Sequence, residues 1–201
     1  MNRLVWLFTV IVVLNGTVAS AGEWIADTRT YCLVWNEDPQ SDQRVLWSGD
    51  CAVADIAQGP GIIQWILDGE KTDRFEGSLV NGRRQGKGTM QWADGGSYDG
   101  AWRRDKRDGR GVMVWPDGSR YEGDWSNDRM FGRGVMAWAD GQHYKGRWRD
   151  DQPHGSGAMK WADGTGFEGP FYKGEPNGKG KCTTAGGERS RCKYKSGVLV
   201  E

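Results

Sequence analysis

Four cysteines, two histidines and 27 acidic residues are the side chains with chemical potential in this 201-residue chain, and their spacing decides which chemistry is open. A zinc site needs a compact tetrahedral ligand set with spacings such as Cys-x2-Cys, and Cys32, Cys51, Cys182 and Cys192 offer none. In an oxidising compartment such thiols pair. Of the three connectivities, proximity selects Cys32 with Cys51 and Cys182 with Cys192; closing loops of these lengths is worth about 3 kcal/mol each in the chain-entropy picture. His143 and His154 have no context suggesting a nucleophile and base, and read as surface residues. The carboxylates invite paired-acid glycoside hydrolysis. However, Asp117 and its equivalents each precede a glycine and are accounted for as turn residues, and no single acid stands apart. Gly-x-Gly recurs without a following helix or Lys-Ser/Thr, so a phosphate-cradling loop is unsupported. No catalytic residue, cofactor or metal is expected.

Binding is better supported than catalysis. Arg103, Arg104, Lys106, Arg107 and Arg110 form the strongest local basic cluster, interleaved with Asp105 and Asp108. They lie between two strand-like runs and read as a hairpin loop, a usual place for function on a rigid scaffold. Such a loop suits an anionic lipid, a polysaccharide or an acidic protein face. The zero net charge hides a division: residues 22–70 contain 9 acidic and 2 basic residues, net −7, and residues 71–201 contain 18 acidic and 24 basic, net +6. Nucleic acid is disfavoured as a partner, since the chain is not strongly basic.

The elements that carry these residues follow from two patterns. Met1-Asn2-Arg3, the apolar run Leu4 to Leu14 and the small residues Ala19-Ser20-Ala21 read as a signal peptide cleaved after Ala21, predicting a periplasmic or secreted protein. The apolar run is too short for a permanent membrane anchor. Downstream, Phe75, Tyr98, Tyr121, Tyr144 and Phe167 recur every 23 residues, each followed two residues later by glycine. Gly86/Gly88, Gly109/Gly111, Gly132/Gly134 and Gly155/Gly157 follow. Then come Met90, Met113, Met136 and Met159, next Trp92, Trp115, Trp138 and Trp161, and an Asp-Gly turn. In Tyr121-Glu122-Gly123-Asp124-Trp125 the alternation puts rings and glycine on one face of a strand and acids on the other. The same parity is expected to put Gly132, Gly134, Met136 and Trp138 on one face of the paired strand. Asp-Gly then turns the chain into the next repeat. Glycine weakens a strand interior unless another group needs the space; here it leaves room for the rings. A buried Tyr or Trp covers roughly 150–250 Å2, worth several kcal/mol at about 25 cal/mol per Å2. A structural role is therefore expected for Tyr98, Gly100, Trp102, Trp115, Tyr121, Gly123, Trp125, Trp138, Tyr144, Gly146, Trp148 and Trp161.

The pattern Tyr-x-Gly-x-Trp, Gly-x-Gly, Asp-Gly at 23-residue spacing resembles the MORN repeat family over roughly residues 75–180. Tyr98/Gly100/Trp102, Tyr121/Gly123/Trp125 and Tyr144/Gly146/Trp148 match fully, whereas the first copy has Phe75 and Leu79, and the last has Phe167 and Phe171 before breaking into Cys182. Upstream, Trp47-Ser-Gly49-Asp-Cys51 with Gly59-Pro-Gly61 and Trp65 reads as a diverged repeat. The Cys32 to Trp65 stretch resembles the opening module of exported bacterial members. The expectation is an all-β, elongated antiparallel meander of hairpins with disulfide-capped ends. Residues 22–74 form an N-terminal capping module, 75–181 five repeats and 182–201 a C-terminal cap. The resemblance implies a non-enzymatic protein-interaction scaffold of the cell envelope, with self-association open through the sheet edges. The alternative is direct binding of anionic phospholipid or envelope carbohydrate through the basic loops.

Overall fold

The computed structural model describes residues 22–52 and 54–200; the expected signal peptide and its cleavage site lie outside the described residues. The strands are β1 (Glu23–Ala26), β2 (Leu33–Asn36), β3 (Arg44–Trp47), β4 (Asp50–Cys51), β5 (Ala57–Leu67), β6 (Glu70–Val80), β7 (Arg83–Gln91), β8 (Ser97–Arg103) and β9 (Lys106–Val114). They continue with β10 (Arg120–Ser126), β11 (Arg129–Ala137), β12 (His143–Arg149), β13 (Gln152–Lys160), β14 (Gly166–Tyr172), β15 (Glu175–Pro176), β16 (Gly178–Thr183), β17 (Arg189–Lys195) and β18 (Val198–Leu199). One antiparallel meander runs from β3 and β5 to β18 in near-sequential order, with β1 and β2 as a separate pair. Among the described residues no helix is long and apolar enough to cross a membrane.

One repeat shows why the sheet holds together. Tyr121 is fully buried with its ring lying over Gly123 and Gly134, which face each other across β10 and β11. A Cβ on Gly123 would stand 2.5 Å from the Tyr121 oxygen, so only glycine leaves the ring its place. The phenol donates to the Asp124 carbonyl at 3.0 Å, and Trp125 Nε1 donates to the Gly111 carbonyl at 3.3 Å. Neighbouring rings meet edge to face in an unbroken zigzag: Tyr98 to Trp125 at 5.6 Å, Trp125 to Tyr121 at 5.1 Å, Tyr121 to Trp148 at 5.3 Å and Trp148 to Tyr144 at 5.1 Å. Each such pair adds about 0.5–1.5 kcal/mol beyond its buried area.

The second strand departs from the expected alternation. Its register with β10 shifts between Gly123 and Asp124, so that Gly132 and Arg133 bulge, and Gly132 has φ +66°. Gly86, Gly109 and Gly155 repeat the positive φ. Only the second glycine of each pair therefore lies under a ring; the first supplies the left-handed conformation a bulge needs. The tryptophans also divide. Trp102, Trp125 and Trp148 are buried in the zigzag, whereas Trp92, Trp115, Trp138 and Trp161 lie beyond the strand ends, partly buried at the Asp-Gly turns.

Burial gives the tyrosines a pH signature. It pushes the Tyr98 and Tyr144 phenols from an ordinary value of 10.0 up to about 12, and raises Tyr121 too. The folded state thus keeps protons that the unfolded chain releases. This contribution to stability is complete below pH 10 and is lost as pH rises through about 12. Thermal melting followed across this range is expected to fall steeply, with the tyrosinate absorbance of Tyr98, Tyr121 and Tyr144 appearing only on unfolding. Titration of these phenols near pH 10 in the folded protein would contradict their burial.

Both ends are fastened. Cys32 is bonded to Cys51, and Cys182 to Cys192, the latter joining β16 to β17. Trp47 takes the tyrosine's place in the first module, with its ring over Gly49 and Gly61 and its Nε1 donating to the Asp50 carbonyl at 2.9 Å. Asp27, fully buried, accepts hydrogen bonds from the amides of Arg29 and Thr30 at 2.7 Å each and from that of Trp47.

Candidate interaction surface

The segment 103–108 is not a loop. β8 and β9 are joined by a two-residue turn, Arg104-Asp105, with φ values of 50° and 72°. Asn81-Gly82, Asn127-Asp128, Asp150-Asp151 and Lys173-Gly174 are likewise left-handed at both positions. Such turns match the twist of the strands they join. They also lean on the preceding repeat. The amides of Asp105, Asp128 and Asp151 donate to the carbonyls of Arg84, Arg107 and Met130 at 3.1, 3.0 and 3.2 Å. Their carboxylates accept from the amides of the same three residues at 2.8, 2.9 and 2.8 Å. This second ladder, along the tips of the hairpins, involves acids whose partners lie 21 residues back.

Asp105 is the most deeply set, with a side chain 2% exposed that pairs with Arg83 and Arg84, both at 3.2 Å. Removing it orphans a buried amide and two guanidinium contacts. Asp105→Ala is therefore expected to cost about 3 kcal/mol, measured by chemical denaturation. A loss under about 1 kcal/mol would mean that the tips open independently of the sheet.

The structure separates the basic cluster rather than gathering it. Arg107 stacks over Trp125 at 4.3 Å and binds Asp128 at 3.1 Å, so it belongs to the packing of the aromatic face. Arg110 lies on the opposite face, exposed and 3.9 Å from Asp124. Arg103 pairs with Asp108 at 2.7 Å, and Arg104 occupies the turn, its amide donating to Gln85 Oε1 at 3.2 Å. Lys106 is exposed beside the turn. The separation has a plain cause: neighbours in sequence on a strand point to opposite faces.

The face opposite the rings carries a different set of charges. Register aligns residues from successive strands into one rung: Glu76, Thr89, Asp99, Val112, Glu122, Val135, Lys145, Ala158, Glu168, Lys181 and Arg191. Acids dominate its N-terminal half and bases its C-terminal end. Lys179 and Lys193 face each other in a parallel rung beside Lys181 and Arg191. These four cations stand on adjacent strands, about 4.8 Å apart across the sheet and about 7 Å along it. With Lys145 they line a trough of about 890 Å3 in which Glu168 is the one acidic side chain. Lys145, Lys179, Lys181 and Arg191 make no salt bridge among the described residues. This group is not evident in the chain because its members fall in three separate stretches, at Lys145, Lys179–Lys181 and Arg191–Lys193, which only strand pairing brings together. The available signal was the 23-residue position held by Glu76, Asp99, Glu122 and Glu168, which is basic at Lys145 and again at Arg191, one period after Glu168.

Among the described residues no group of three or more His, Cys, Asp and Glu side chains is placed to hold a metal ion.

Comparison with known proteins bears on the repeats. The model of the MORN repeat matches five consecutive segments, 75–97, 98–120, 121–143, 144–166 and 167–189. No curated protein matches the chain. Among solved structures it is similar to the TCP domain of SAS-4 (dCPAP) from Drosophila melanogaster, in complex with a proline-rich motif of Ana2 (dSTIL). Identity is 11% and the TM-score 0.40, over 90% of this chain and 96% of that one. With five contiguous matches covering more than half of its length, the chain belongs to the MORN repeat family.

Proposed function

We propose that the protein is a non-enzymatic interaction scaffold of the cell envelope, binding a protein partner through the sheet face opposite the aromatic zigzag. MORN repeats commonly act as protein- or membrane-interaction modules, and the two disulfides suit an oxidising extracellular compartment. The observation that carries the reading is the division of labour between surfaces. Rings fill one face and the turn acids brace the tips, whereas the opposite face presents exposed Phe131 and Val135 beside Arg133, Lys145 and Arg147, which make no salt bridge among the described residues.

A photo-crosslinking residue at Val135 or Ala158 is expected to capture a discrete partner in intact cells, whereas one at Arg104 or Trp138 is not. Adducts from Arg104 or Trp138 alone, or from none of the four, would overturn the assignment. Binding of anionic phospholipid or carbohydrate through Arg103, Arg104, Lys106, Arg107 and Arg110 is the weaker reading. Arg107 is held on the aromatic face, so these five cations do not form a single surface.

A further inference from the structure

We propose that the cationic end of the exposed face, formed by Lys179, Lys181, Arg191 and Lys193, binds the acidic N-terminal module of a second copy of the chain, joining molecules head to tail. The inference rests on the assignment of this face as the working surface and names one partner for it.

Charge supplies the first argument. Residues 22–70 carry net −7. Within this module, residues 37–43 place Glu37, Asp38 and Asp42 in the exposed connection between β2 and β3, with no Lys or Arg among them. These carboxylates take part in no salt bridge among the described residues. At the other end, four cations stand together on β16 and β17, held in mutual register by six residue pairs and by the Cys182–Cys192 bond on the far side of the hairpin. Opposite potentials on two rigid surfaces steer their encounter and fix its orientation.

Geometry supplies the second. Twelve strand steps separate β3 from β17 along the sheet. At about 4.8 Å per step they span roughly 55–60 Å, far beyond the roughly 8 Å over which exposed charges interact at physiological salt. The acidic head therefore cannot neutralise the basic tail of its own molecule. Between two molecules nothing separates them. The contact uses different surfaces on the two copies, so a pair joined by one such contact keeps a free head and a free tail and can add further copies.

Sedimentation equilibrium of the purified protein tests this. At low salt the weight-average mass is expected to rise with concentration, and at about 0.5 M NaCl to return to that of the monomer. Two triple variants are informative: Lys179→Glu/Lys181→Glu/Arg191→Glu at the tail, and Glu37→Lys/Asp38→Lys/Asp42→Lys at the head. All six positions are on the surface, and an unchanged circular dichroism spectrum establishes that each variant folds. Each alone is expected to associate at least tenfold more weakly, because the reversed tail now repels the acidic head and the reversed 37–43 loop now repels the cationic tail. Mixed in equal amounts, the two are expected to associate again, since each supplies the sign that the other lacks. A wild-type protein that stays monomeric at low salt would overturn the inference. So would association that survives high salt and both reversals, which would point to the sheet edges. Retention of an anionic polysaccharide by a monomeric wild type, lost in the tail variant, would replace the second copy by another polyanion yet leave the exposed face as the working surface. Failure of the scaffold reading is seen separately, in the crosslinks from Val135 and Ala158.

Discussion

Replacing Tyr121 by alanine is expected to cost about 4 kcal/mol, in the range for deleting a buried aromatic ring. The ring is fully buried, touches Trp125 and Trp148 edge to face and donates to the Asp124 carbonyl, and little nearby can collapse into its space because Gly123 and Gly134 form its floor. Gly134→Ala is expected to cost about 3 kcal/mol for the complementary reason: its methyl must displace the same ring. With the ring gone, the three nearest contacts that oppose a methyl at 134 are gone too. The double variant is thus expected to lose little more than Tyr121→Ala alone, a coupling of about 3 kcal/mol. Urea denaturation of the four proteins measures this cycle. Additive losses would show that the ring and the glycine do not share one space, and would remove the packing account of the repeat.

Asp27→Ala is expected to be nearly as damaging, at about 3–5 kcal/mol. The carboxylate is 0% exposed and accepts from the amides of Arg29, Thr30 and Trp47; each buried amide left without an acceptor costs about 1–3 kcal/mol. The loss should fall on the N-terminal module, where Trp47 closes the first ring-over-glycine unit. Amide exchange is expected to accelerate in residues 44–66 while that of β10 to β13 is preserved, since repeats contact only their neighbours. Uniform exchange along the sheet would show that Asp27 braces the whole array instead. The same carboxylate gives an acid limit. Burial alone would raise its pKa, but the three amide donors outweigh it and hold it below the ordinary 3.8. Its contribution is therefore present above pH 3.8 and disappears as pH falls through the lower folded value.

These two sites mark how much of the molecule is legible in the chain. The ring-and-glycine unit follows from residues two apart, because alternation on a strand places Tyr121, Gly123 and Trp125 on one face with no further information. The 23-residue period then repeats the unit, and the all-β meander with rings packed on bare backbone follows. Asp27 gave no comparable signal: its partner Trp47 lies 20 residues away, outside any repeat. Asp105 illustrates the same limit from within the repeats, where proximity in sequence made it a neighbour of the basic cluster and the structure makes it the acceptor for Arg83 and Arg84.

The sequence by itself determined the fold class, the repeat and the family, because these depend on local alternation and a fixed period. Only the tertiary structure decided which charges are available. Strand register, shifted by the bulges at Gly86, Gly109, Gly132 and Gly155, sets which residues of different repeats meet. It binds Arg107 to Asp128 and lines up Lys181 with Arg191, and a register of this kind is a relation between strands that no single stretch of residues contains.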